Sequence, residues 1–331
     1  TVQPTLMFSH NNRMIGGGAT GFEHRFYTSA SNDMDTYTGA TAAQFYVYPG
    51  EGQRIVGGVS WRGRAYFFKY PRGIYYLDDT DTTIANWVVK KLSDAVGCVG
   101  PGGLISVGDE VLFLSPQGYL HALSAVQEFG DARSSAVLPD ELGVFLRENV
   151  NFLNLSKTRA AYYDRKKKAI FAMAGASASV NNRLLTIDLH RRDEVQAGWS
   201  TRDVAQGLCV KLDETDGSSY PLIGTDGGFV YKLDTEAHTK DSAGYTGQWE
   251  TPEVALFPKG TLRANLRELE LVFRPDGDWD IDVEVHRDGA LSETVQFNMQ
   301  STGAVLGSFT LDTDVLGGLT VKNTRRRIRG D

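Results

Sequence analysis

Few places in this sequence combine residue types and spacing in the way that chemistry needs. Gly16-Gly17-Gly18-Ala19-Thr20-Gly21 satisfies G-x-G-x-x-G. That pattern holds a pyrophosphate only when the glycines open a helix whose N-terminal amides face it. The residues that follow, Phe22–Ser29 (FEHRFYTS), read as a strand. A glycine turn is therefore expected here, and no Walker pattern occurs elsewhere. Gly58-Val59-Ser60-Trp61-Arg62 approaches the G-x-S-x-G nucleophile elbow but ends in arginine. Asp276-Gly277-Asp278-Trp279-Asp280-Ile281-Asp282 resembles the opening of a calcium loop. An EF-hand needs Gly at its sixth position and Glu at its twelfth, where this chain has Ile281 and Arg287. His10, His24, His121, His190, His238 and His286 form no HExxH and no close pair, so zinc has no support. Cys98 and Cys209 lack CxxC spacing and read as small buried apolar residues, with a disulfide between them left open. The expectation is a protein that is not an enzyme, with no catalytic, cofactor or metal residues.

Charge narrows the partners. With 34 Lys and Arg against 41 Asp and Glu, the net charge is −7. Gripping nucleic acid requires clustered cations to neutralise phosphate, and an acidic chain suits that poorly. Two basic runs stand out. Arg165-Lys166-Lys167-Lys168 falls at a hairpin turn, where such a run is ordinarily solvated. Arg325, Arg326, Arg327 and Arg329 lie near the C-terminus. They suit docking onto an acidic neighbouring subunit, with phosphate contact or simple solvation as the alternatives. No stretch approaches the roughly 18 apolar residues of a membrane span, so no membrane insertion is expected. Thr1-Val2-Gln3-Pro4 does not resemble the start of a signal peptide.

The elements that would position these residues are strands. The chain has 36 glycines, 14 tyrosines and 16 phenylalanines among 331 residues, a composition of strands and tight turns. Three segments share one shape, a short apolar strand, a Gly turn and an alternating strand: Tyr66–Asp79 (YFFKYPRGIYYLDD), Leu112–Ala125 (LFLSPQGYLHALSA) and Leu222–Asp234 (LIGTDGGFVYKLD). Gly73, Gly118 and Gly228 occupy the matched turn positions, where a tight hairpin requires positive φ. Their offsets are 45 and 110 residues, one unit and then two, a spacing that suits propeller blades. Ala161–Ala174 reads as a degraded copy whose hairpin has a basic turn, followed by strands at Leu184–Leu189 and Gly198-Trp199-Ser200. Leu6–Ser9 and Arg13–Gly17 flank Asn11-Asn12 as a further hairpin. Pro139–Asn149 reads as a short inserted helix.

After about residue 250 the texture changes. Leu266–Arg274 and Trp279–His286 alternate cleanly, with Pro275-Asp276-Gly277-Asp278 expected to join them as a hairpin. Val295–Met299 and Ser308–Leu311 add strands. The expected fold is all-β: propeller-like repeats of about five or six blades over residues 1–250, then a small β-sandwich over 251–331.

The blocks Gly57–Leu77 and Val99–Leu123 resemble recurring blades of tailed-bacteriophage propeller proteins. The passage from Leu222–Pro252 through LRELELVF to RRRIRG is similar to the way those chains run from the last blade into a β-sandwich. The resemblance implies a structural virion component of the neck or tail, of nozzle or tail-hub type. It would form a ring of its own copies around the DNA channel, against other tail or neck proteins. DNA would pass without specific binding, because an acidic wall lets it slide. A receptor- or glycan-binding propeller at the tail tip, with aromatic turns such as Tyr66–Tyr76 exposed, is the second reading. A carbohydrate-active enzyme is the third.

Overall fold

A computed structural model describes residues 3–50, 52–129, 140–191, 198–203, 209–213, 220–225, 227–233, 247, 268–273, 280–287, 290–298 and 322–327. The chain divides into two compact units, Thr1–His238 and Thr239–Asp331. The expected boundary at residue 250 lies outside the described residues.

The first unit is a series of antiparallel sheets, each pairing strands that are consecutive in sequence. The first sheet contains β1 (Leu6–His10), β2 (Arg13–Ala19), β3 (Phe22–Thr28) and β4 (Ala43–Tyr46). The second contains β5 (Arg54–Trp61), β6 (Arg64–Tyr70), β7 (Ile74–Asp78) and β8 (Val88–Ser93). The third has β9 (Leu104–Val107), β10 (Glu110–Leu114) and β11 (Leu120–Ala122), followed by helices α1 (Leu123–Phe129) and α2 (Asp140–Asn149). The fourth has β12 (Arg159–Tyr163), β13 (Lys168–Met173), β14 (Arg183–Asp188) and β15 (Trp199–Asp203). The fifth has β16 (Cys209–Asp213), β17 (Tyr220–Gly224) and β18 (Val230–Lys232).

The turn chemistry of these hairpins follows the glycines. Gly73, Gly118 and Gly228 have φ of 110°, 81° and 80°, and each sits between the second and third strands of its sheet. The basic run Arg165–Lys168 forms a short 3-10 turn with Lys167 left-handed, leading into β13. One expectation fails in the third sheet. Leu120–Ala125 does not continue as strand: β11 stops at Ala122 and α1 follows. Within α1, Leu123 and Val126 are three residues apart and both buried, which is helical spacing that outweighs the short alternation before it.

Successive sheets stack face to face. Their first strands adjoin in order, β1 with β5, β5 with β9, β9 with β12 and β12 with β16. Because side chains alternate across a strand, an inner sheet must be apolar on both faces. In β6, Ala65 and Phe67 enter the seam with the first sheet, while Tyr66 and Phe68 enter the seam with the third. Each seam has its own core: Phe26 stacked on Phe67 at 4.0 Å in the first, Phe68 beside Phe113 in the second, Leu112 with Phe171 in the third, and Ile170 with Ile223 in the fourth. Each fully buried Phe removes apolar surface that stabilises by about 2–3 kcal/mol. The run Tyr66–Tyr76 therefore belongs chiefly to the core, with Tyr66, Phe67, Phe68 and Tyr75 buried, and only Tyr70 at the turn, 40% exposed, is left for the aromatic surface of the glycan-binding reading.

In the second unit, β19 (Glu268–Phe273) pairs with β22 (Lys322–Arg327), and β20 (Asp280–Arg287) pairs with β21 (Ala290–Asn298). Ile281, Val283 and Val285 pack with Val295, Phe297 and Leu271, while Asp280, Asp282 and Glu284 are exposed, as the alternation requires. Among the described residues β19 pairs with β22 and not with β20; the expected joining turn Pro275–Asp278 lies outside the described residues. Ser308–Leu311 lies outside the described residues.

Candidate functional site

At His10 the described residues bring a carboxylate, an imidazole and a hydroxyl together. His10 ends β1, and the Asn11-Asn12 turn after it is left-handed at both residues, φ 44° and 58°. Asparagine tolerates that conformation better than other non-glycine residues. The imidazole is 3% exposed. Its Nδ1 lies 2.7 Å from Ser60 Oγ on β5, and its Nε2 lies 3.0 Å from Asp79 Oδ2, just after β7. Asn11 Nδ2 also donates to Asp79 Oδ2 at 2.8 Å. Ser60 is the serine of the incomplete elbow motif. A nucleophile elbow places its serine on a strand-to-helix turn, whereas Ser60 lies inside strand β5, one residue before its end.

A Ser–His–Asp hydrogen-bond chain can in principle shuttle a proton from the hydroxyl. Its placement points to a mechanical role. His10 belongs to the first sheet and both partners to the second. The corresponding last residue of β5, Trp61, makes the same kind of reach, donating from Nε1 to the Asp109 carbonyl in the third sheet at 2.6 Å. Two successive first strands thus end in a side chain that crosses to the next sheet and is hydrogen-bonded there. The described cavity, about 400 Å³, is lined by Pro4, Met7, Gly16, Gly17, Ala19, Tyr27 and Tyr37. Met7 and His10 are three residues apart on one strand, so the cavity and the histidine occupy opposite faces of the first sheet.

A buried lysine also serves this seam. Lys69 is fully buried; its Nζ donates to the Tyr48 carbonyl at 3.0 Å and lies 4.9 Å from the Tyr75 ring centroid. The Tyr48 ring sits 5.1 Å from that of Tyr75, and Lys91 approaches the Tyr48 ring at 5.2 Å. Such a stack compensates a desolvated ammonium through a carbonyl and an aromatic face.

The residues singled out in the sequence are dispersed. Gly16, Gly17 and Gly18 lie in β2, and Gly18, at φ 70°, marks a bulge against β3. A Cβ on Gly18 would lie 2.6 Å from Thr5 Oγ1 and 2.7 Å from the Ile55 carbonyl oxygen, so close approach of the second sheet also requires glycine. These glycines open no helix. Cys98 is a free, buried thiol, and desolvation pushes it up to about 12. Asp280 accepts from Asn298, its cross-strand neighbour, and no group of metal-ligating residues occurs among the described residues. Arg325, Arg326 and Arg327 fall in β22, in register with Glu270, Leu269 and Glu268. Arg329 lies outside the described residues. No helix among the described residues is long and apolar enough to cross a membrane.

Ser60 and Asp79 carried no shared signal in the sequence, since 50 and 69 residues separate them from His10. No protein-family model matches the sequence, and no curated protein matches it.

Proposed function

We propose that this chain is a structural subunit of a tailed-bacteriophage neck or tail, built from propeller-like blades and a β-sandwich-like module. Copies of it form a ring around the DNA channel and bear on other tail proteins. The observation that carries the reading is the serial stack of sheets with an apolar core in each seam and side-chain latches across two of them. That is a rigid wall, and its most chemistry-like constellation, Ser60–His10–Asp79, is used to fasten one sheet to the next. The resemblance of Gly57–Leu77 and Val99–Leu123 to phage propeller blades supplies the location, in the virion. The net charge of −7 is suited to a surface along which DNA slides. The tail-tip glycan reading is not favoured, because the aromatic run that suggested it is largely core.

Negative-stain electron microscopy and mass photometry of the purified chain test the proposal, together with probing purified particles for it. Ring-shaped oligomers with a central opening, and the chain present in virions at ring stoichiometry, are expected. A chain that stays monomeric at tens of micromolar and is absent from particles would sink the proposal.

A further inference from the structure

The hydrogen bonds around His10 fix which of its ring nitrogens carries the proton. Asp79 Oδ2, 3.0 Å from Nε2, is a carboxylate oxygen and only accepts, so Nε2 is the protonated nitrogen of the neutral ring. Asn11 Nδ2 lies 3.1 Å from the same nitrogen, but it is a donor too and gives its bond to Asp79 Oδ2 at 2.8 Å. Nδ1 therefore keeps its lone pair, and Ser60 Oγ, 2.7 Å away, donates to it. The His10 and Asp79 side chains are buried, whereas Ser60 is exposed. Ser60 lies on β5, an edge strand of the second sheet, one residue before the strand ends. Fastening the two sheets uses the proton of its hydroxyl and not the lone pairs of its oxygen.

We infer that Ser60 is a nucleophilic serine that takes an acyl group from an activated ester or thioester. An activated hydroxyl needs a base within hydrogen-bond reach and a third group that orients the base, and His10 and Asp79 fill those places. The ring is turned relative to the familiar triad, with Nδ1 at the hydroxyl and Nε2 at the acid. In the step, Oγ bonds to the acyl carbon while its proton passes to Nδ1. The bond from that carbon to the leaving group then breaks, the leaving group takes the electron pair, and Nδ1 returns the proton to it. Asp79 offsets the positive charge that the ring carries in between. The donor class follows from the setting of Ser60. A nucleophile elbow places oxyanion-binding amides beside its serine, and Ser60 lies within a strand instead. Amides, which need that stabilisation, are excluded. An aryl ester or a thioester leaves as a stable anion, so a base alone speeds its transfer. Acyl-Ser60 is itself an alkyl ester with a poor leaving group, so the acyl group stays and the reaction is stoichiometric. This reactivity goes beyond the ring-subunit reading and does not depend on it.

The test uses the full chain and p-nitrophenyl acetate, with acetylation of each serine followed by peptide mass spectrometry. Ser9 and Ser106 are exposed serines one residue before the ends of β1 and β9, as Ser60 is in β5. Among the described residues neither is hydrogen-bonded to an imidazole, so they are internal controls. Ser60 should be acetylated at least about tenfold faster than either, since a positioned base contributes about a hundredfold or more. Asp79→Asn lets an amide donate to Nε2, which moves the ring proton to Nδ1 and removes the base. In that variant, assayed where circular dichroism shows it folded, Ser60 should fall to the rate of Ser106. A purely structural latch predicts no such fall. Acetylation of Ser60 no faster than that of Ser9 and Ser106 in the unaltered chain overturns the inference, and so does an unchanged Ser60 rate in folded Asp79→Asn. The comparison of the three serines needs no variant and decides alone if Asp79→Asn does not fold.

Discussion

Replacing His10 with alanine is the sharpest test of whether the Ser60–His10–Asp79 chain is a latch. The imidazole is buried at 3% exposure between two sheets, and Asp79 has a side-chain exposure of 6%. Losing the neutral bond to Ser60 costs about 1 kcal/mol, and losing a bond to a carboxylate about 1.5–3 kcal/mol. Asn11 still donates to Asp79 at 2.8 Å, which limits the penalty of leaving that acid underpaired. The expected loss for His10→Ala is therefore about 3 kcal/mol. For a cooperative unit of this size that lowers the thermal midpoint by about 6–12 °C. Ser60→Ala should cost only about 1 kcal/mol, because Ser60 itself is exposed. A double-mutant cycle of His10→Ala with Asp79→Ala, read by urea unfolding, should return a coupling of about 1.5–3 kcal/mol. Cysteines introduced across the seam between the first and second sheets should cross-link more loosely in His10→Ala. If His10→Ala costs under about 0.5 kcal/mol, or the cycle is additive, the side chains are not fastening the sheets and the latch argument fails.

Three other outcomes follow from the same geometry. Cys98, whose thiol burial pushes up to about 12, should resist Ellman's reagent at pH 8 in the folded chain and react at once in urea; reaction at the rate of a free thiol would refute its burial. A Cβ on Gly97 would lie 2.3 Å from the Lys69 carbonyl oxygen and 2.5 Å from the Arg72 Cα, a clash with backbone, so Gly97→Ala should cost about 3 kcal/mol or more. Gly63→Ala, with φ 72° and open space around it, should cost only about 1 kcal/mol, and equal losses in the two would refute the steric account. A hydrogen bond from Lys90 holds the Asp78 carboxyl below its usual range, with Thr80 adding to it. Because the folded value is depressed, that stabilisation is present at neutral pH and is lost as pH falls through the folded value. Lys90→Met should return the Asp78 titration, followed by NMR, toward the ordinary carboxylate range, and an unmoved midpoint would contradict the pairing.

Much of the first unit was legible because its information is local. Alternation and a glycine at a turn are decided within about ten residues, and Gly73, Gly118 and Gly228 all take the positive φ that the hairpins demanded. The basic turn at Arg165–Lys168, the strand that follows Gly21 and the short helix ending at Asn149 are of the same kind. The alternation of Trp279–His286 likewise assigned the acids of β20 to the solvated face. The helix at Leu123–Phe129 was missed because a run of six residues fits both periods until a neighbouring sheet selects which apolar positions it will bury.

What only the tertiary structure decided is everything that joins distant segments. The pairing of β19 with β22 instead of β20 brings Glu268 opposite Arg327 across 59 residues, and no turn signal encodes that choice. His10, Ser60 and Asp79 are three unremarkable residues until two sheets are stacked. The aromatic run around Phe67, which the glycan-binding reading would have needed exposed, is core, because a strand between two sheets must be apolar on both sides. The sequence by itself determined an all-β chain with glycine-turned hairpins in series, since those depend on nearest neighbours along the backbone. Which faces are covered and which histidine fastens a seam depend on packing between sheets, where neighbours in space are tens of residues apart in the chain.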